Sequence, residues 1–205
     1  MKQLVSRSFR SLVLLTVLAS ISGHSNSMSI VQADEKKEET REPESDVKAG
    51  MVLEITINRP EGGGRGYRRP YVSAWLTDKD GVPVRTIFLW VQKAQPGPRW
   101  IPDLRQWNRD DRLRRLVDDR DLVDAIAAPT RNAGLHKVVW DGKDDQGNAL
   151  PAGTYTLNIE AAREHGTYQI IREKIELGDS KFQKSLDGNV EIKAVKIDYR
   201  GLAGK

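Results

Sequence analysis

The chain has 205 residues, a formal net charge of +4 and no cysteine. That length suits one ordinary domain plus a tail. The missing thiols exclude disulfides, thiolate catalysis, iron–sulfur ligation and a lipid-modified N-terminal cysteine. Three cations (Lys2, Arg7, Arg10) and no acids fall in residues 1–33, so the remainder carries 30 basic against 29 acidic side chains, a net +1. This balance gives no argument for nucleic-acid binding.

In chain order, residues 1–33 read as a secretory signal. A basic opening is followed by the apolar run SLVLLTVLASI (11–21) and by Val31-Gln32-Ala33, with small residues where a signal peptidase reads. The apolar run is shorter than the ~20 residues of a membrane span. A periplasmic or secreted product with no stable membrane insertion after cleavage is expected; an uncleaved anchor is the alternative. Residues 34–48, DEKKEETREPESDVK, hold almost no apolar side chains and read as a solvated tether.

Residues 49–200 read as the folded domain, with 201–205 as a tail. In 51–58, Met51, Leu53, Ile55 and Ile57 alternate with polar or smaller partners, the period of a strand. RPEGGGRGYRRP (59–70) reads as a glycine-rich loop; Arg65, Arg68 and Arg69 make it a candidate anion site, without the order of a P-loop or a dinucleotide fingerprint. Residues 71–77 and 84–91 are further strands, the second apolar on both faces and so expected at a sheet centre. Prolines 96, 98 and 102 argue against a regular helix in 93–109; Trp100, Ile101, Leu104 and Trp107 are apolar enough to pack that segment over the sheet. Residues 110–127 have helical spacing, with Leu113, Leu116, Val117, Val123 and Ile126 inward and Asn108 or Asp110 as cap. Arg112–Arg115 are expected to pair with Asp118, Asp119 and Asp121 on the exposed side.

The stretch VVWDGKDDQGNALPAGTYTLNIEA (138–161) reads as a closing hairpin. His136, Val138 and Trp140 share one strand face; Tyr155, Leu157, Ile159 and Ala161 share the next; the tip is dense in turn formers. Strands at 167–177 and 190–199 follow. The last slips phase between Ala194 and Val195, the sign of a β-bulge. About seven strands with one helical insertion give an all-β, Ig-like antiparallel β-sandwich.

WDGKDDQGNALPAGTYTL (140–157) resembles the Ig-like domain of flagellar hook-capping proteins. RPYVSAWLTDKDGVPVRTIFLW (69–90), RWIPDLRQW (99–107), PTRNAG (129–134) and EAAREHGTY (160–168) together resemble a family of predicted bacterial periplasmic proteins of unknown function, over roughly residues 50–200. Pro129 departs from that family's pattern. Members are often found beside PepSY-type membrane reductases and flavin-attachment proteins. The resemblance thus implies a link to envelope redox or flavoprotein maturation, and carries over no catalytic residue.

Several clusters invite chemistry. Asp141, Asp144, Asp145 and Asn148 offer calcium ligands, but their spacing misses the DxDxDG loop and turn formation explains them equally. Beyond residue 33 only His136 and His165 remain, too few for a zinc cluster, and Met51 is the lone methionine. Glu160, Arg163, Glu164 and His165 form the densest polar group and include a general acid–base pair of residue types, although charged residues at a strand end normally face solvent. No GxSxG elbow exists. Trp75, Trp90, Trp100, Trp107 and Trp140 offer a platform, or more simply core. The expectation is a non-enzymatic binding module with no cofactor and an envelope protein partner. Its binding surface is Thr130, Arg131, Arg163, Glu164 and His165, with Arg65 and Arg68 as a second patch. A flavin- or anion-handling accessory enzyme using Arg65, Arg131 and Arg163, and a structural assembly module, are the alternatives.

Overall fold

The computed structural model describes residues 49–59 and 67–202. The expected signal, the expected tether and Arg65 lie outside the described residues. Nine strands are present: β1 Met51–Ile57, β2 Tyr71–Thr77, β3 Pro83–Trp90, β4 Ala127–Ala128, β5 Gly134–Trp140, β6 Gly153–Ala162, β7 Tyr168–Leu177, β8 Phe182–Asp187 and β9 Ile192–Tyr199. They form a four-stranded sheet of order β5-β1-β9-β8 and a five-stranded sheet of order β4-β3-β2-β6-β7. All pairings are antiparallel except the short β3–β4 contact. The fold is an all-β, two-sheet sandwich.

The alternating residues make the core. Met51, Leu53, Ile55 and Ile57 of β1 are buried with Val195, Ile197 and Tyr199 of β9, against Val72, Ala74, Leu76, Leu157 and Ile159 of the second sheet. The expected bulge lies where the phase slips. Thr56 faces Ala194 and Ile57 faces Ile192, leaving Lys193 as the extra residue. Gly201 and Leu202 belong to the packed domain, since Gly50 N–H donates to the Gly201 carbonyl at 2.7 Å and Leu202 packs on the core.

Three expectations are corrected. First, β5 and β6 are not a hairpin. β5 pairs with β1 and β6 with β2 and β7, so residues 141–152 cross from one sheet to the other. The crossing is anchored at both ends: the Trp140 indole donates to the Lys143 carbonyl at 2.8 Å, and Leu150 is buried in the core. Turn chemistry marks a tight polar loop but does not say whether the flanking strands pair with each other.

Second, the helical insertion is not one helix over 110–127. A 3₁₀ helix, Gly97–Asp103, contains Pro102; α1 spans Arg105–Arg114 and α2 spans Leu122–Ile126. Leu113, Leu116 and Val117 are 49%, 82% and 89% exposed. Trp107, Asp110, Asp111 and Arg114 face inward instead, because polar partners await them. The Trp75 indole donates to Asp110 at 2.9 Å, and Arg114 donates to Asp111 at 2.8 Å and to the Arg120 carbonyl at 2.7 Å. A buried polar network outweighs the apolar periodicity. The insertion still covers the second sheet as expected: Ile101, Leu104 and Trp107 pack on Tyr71, Trp75, Leu89 and Val91 in a second core. This third layer is why β2 is buried along its whole length.

Third, the described residues form nine strands, not about seven. β8 is polar on an edge, and β4 is two residues long, so neither shows a periodic apolar signal.

Candidate functional site

The second sheet opens at one end. There the start of β2, the residue pair after β3, the end of β6 and the 3₁₀ helix converge on a cleft of about 260 Å³. Aromatic walls come from Tyr67, Tyr71 and Trp100; charge comes from Arg68, Arg69, Asp103 and Glu164; Thr130 and Gln92 complete the rim. Tyr71 is fixed by its hydroxyl, which donates to the Gly97 carbonyl at 2.9 Å. Burial pushes the Tyr71 and Tyr67 phenols above their ordinary value. Both stay neutral donors at physiological pH. Arg68 pairs with Glu164 at 2.9 Å, with its own side chain 60% exposed. A surface pair of this kind contributes only ~0–1 kcal/mol and is free to re-pair with a ligand.

The anticipated surface splits. Thr130, Arg68 and Glu164 line the cleft together. Arg131 lies instead over the Trp90 ring, 5.6 Å from its centroid. Arg163 is taken up by Glu191, at 2.8 Å. Glu191 is fully buried and also accepts from the Thr167 hydroxyl. His165 sits at the turn between β6 and β7 with φ 53 and its side chain 88% exposed. Its Nε2 is 3.7 Å from Glu164, beyond hydrogen-bond reach.

Glu160 is nowhere near solvent. Its two oxygens accept the backbone N–H groups of Gln106 at 2.9 Å and Trp107 at 2.7 Å, and it hydrogen-bonds to the Tyr168 hydroxyl. Burial nevertheless raises its pKa above the ordinary glutamate value, against those hydrogen bonds. The densest polar stretch of the sequence therefore holds a helix-capping acid, a buried ion pair, one cleft residue and an exposed turn residue.

Among the calcium candidates, Asp141 and Asp144 form turns, and Asp145 ties the loop to β3. Asp144 accepts from Gln146 N–H at 2.9 Å and Asn148 N–H at 2.8 Å; Asp141 accepts from Lys143 N–H at 3.2 Å; Asp145 accepts from Thr86 N–H at 3.0 Å. Among the described residues no group of three or more His, Asp or Glu side chains is arranged to hold a metal ion. Trp75, Trp90, Trp107 and Trp140 are core, and only Trp100 borders the cleft.

Sequence reasoning missed Tyr67, Tyr71, Gln92, Asp103 and Glu191. Tyr71 reads as an ordinary strand aromatic, and Glu191 as a lone acid ahead of an apolar strand. Only the three-dimensional meeting of segments far apart in the chain gives them roles.

A family described as "Predicted periplasmic protein (DUF2271)" matches residues 52–194. No curated protein matches the chain. Among the described residues no helix is long and apolar enough to cross a membrane.

Proposed function

Because the chain belongs to the DUF2271 family of predicted periplasmic proteins, we propose that it is an exported, non-enzymatic binding module, an Ig-like sandwich whose cleft takes one or two side chains of an envelope protein partner. The cleft carries this reading. It combines three aromatic surfaces with an exposed, re-pairable guanidinium. Its 260 Å³ fall below the roughly 300–1,000 Å³ of sites that bury a drug-sized ligand. That size suits an aromatic or acidic side chain. PepSY-type reductases and flavin-attachment proteins, the neighbours that the resemblance implies, make a flavin-bearing envelope protein the first partner to test.

A photo-crosslinking residue at position 100 of the full-length protein in cells tests this. One protein adduct, lost on Arg68→Glu and absent from a probe at the exposed position 116, supports the reading. Equal adducts from both positions, or none, overturn it. Calorimetric titration with FMN and FAD tests the flavin-handling alternative: binding of either free cofactor would replace a protein partner with a small molecule. An adduct that proves to be a filament subunit would favour an assembly role.

A further inference from the structure

The two sheets end in four edge strands: β5 and β8 in one, β4 and β7 in the other. Exposed edges recruit foreign strands, and proteins blunt them with charge or brevity. β4 has only two residues. β7 carries Arg172, Glu173, Lys174 and Glu176. β8 is polar, FQKSLD, and its Lys184 is bonded across to Glu173. β5 differs. Its outward side chains are Leu135, Lys137 and Val139, with Leu135 64% and Val139 39% exposed. Even its inward-facing His136 and Val138 are only half-buried. The strand is held in place from one side by β1, and the His136 ring bonds to the Asn132 carbonyl at 2.7 Å.

The outer face next to this edge is patterned. Lys137 lies opposite Glu54 of β1, and Glu54 lies opposite Lys196 of β9. The row alternates in sign and ends on a cation at the open edge. The rows on either side are Val139 beside Val52 and Leu135 beside Thr56. A strand added at β5 would therefore present an apolar, an acidic and an apolar residue at alternate positions, the acid opposite Lys137. A second copy of this chain does not meet that demand. Antiparallel self-pairing that matches Leu135 with Val139 sets Lys137 against Lys137, and like charges directly opposite are destabilising.

We propose that the edge of β5 that no described strand pairs with is a β-augmentation site for an extended, acidic segment of a partner protein, with Lys137 selecting the acid. Backbone ladder bonds would supply affinity and alternate side chains specificity. This site is a different surface from the cleft, and either can fail without the other.

The test uses the full-length protein and two synthetic peptides of alternating threonine and valine, matched to the length of β5, one with a central glutamate and one with a central lysine. Amide signals of residues 134–140 are followed by NMR during titration. The glutamate peptide is expected to shift and protect those amides and to bind about tenfold more tightly than the lysine peptide, the size of a cross-strand attraction turned into repulsion. Lys137→Glu, an exposed position, should reverse the preference. No preference between peptides, no reversal in the variant, or perturbation centred on another edge overturns the proposal. So does a dimer of the unliganded protein with the β5 amides protected, which would assign the edge to a second copy.

Discussion

The carboxylate of Glu160 lies 2.7 Å from the backbone N–H of Trp107. The strand thereby caps the helix that covers it. α1 has no side-chain cap of its own, since its N-cap position is Leu104. Its first free N–H groups are satisfied by a residue 53 positions away. Glu160→Ala should destabilise the protein by about 2 kcal/mol, the loss of a cap plus buried donors left unpaired. Chemical denaturation checks this.

The same carboxyl sets a pH dependence. Burial holds its pKa above the ordinary value of 4.5. For a raised acid the folded state binds the proton more tightly than the unfolded state. Its contribution is therefore greatest below the ordinary value and declines as pH rises through the folded pKa. The stability gap between the native protein and Glu160→Gln should narrow as pH increases from about 4. Denaturation of both proteins across that range measures the gap and cancels the other carboxylates. A gap that widens with pH would show the two N–H groups outweighing burial.

Asp118 behaves oppositely. Hydrogen bonds from Arg120 hold its pKa at about 2, below the ordinary 3.8. This depressed acid contributes above 3.8, and its contribution is lost as pH falls through about 2. Arg120→Gln should raise the Asp118 titration toward 3.8, read from its side-chain carboxyl carbon by NMR.

Arg163 pairs with a fully buried acid, Glu191. Arg163→Met would leave the fully buried Glu191 carboxyl without its partner, and should cost about 3 kcal/mol. Pairing it with Glu191→Gln should restore much of that loss. A double-mutant cycle by thermal denaturation checks this; additive losses would show that the pair is uncoupled.

Leu116 and Val117 stand in solvent. Leu116→Ser and Val117→Ser should each change stability by less than about 0.5 kcal/mol. Losses of core size would restore the single amphipathic helix that their spacing suggests.

Where apolar side chains recur at every second position, the sequence was readable. β1, β6 and the bulge in β9 follow from alternation, and the bulge even from its failure at Ala194–Val195. The fold departs from that reading where polar atoms are buried. Asp110, Asp111 and Arg114 turn inward because Trp75 and the 115–121 turn supply partners that no local pattern reveals. The cleft was half legible. Thr130, Arg68 and Glu164 stand in loops, where polar residues draw notice, while Tyr71 and Trp100 look like core and Arg163 and His165 look like ligands' partners. Separating them requires knowing which strand end faces which loop.

The strand order has a consequence for how the chain reaches its fold. β1 is made first, yet its neighbours are β5 and β9. One begins at Gly134 and the other at Ile192. A chain emerging N-terminus first completes β2 and β3, which pair with each other, long before β1 finds either partner. The first sheet closes last and over the longest sequence separation, the slow kind of contact. Until then the apolar face of β1, with Met51, Leu53, Ile55 and Ile57, has no sheet to join and is open to a holding chaperone or to aggregation.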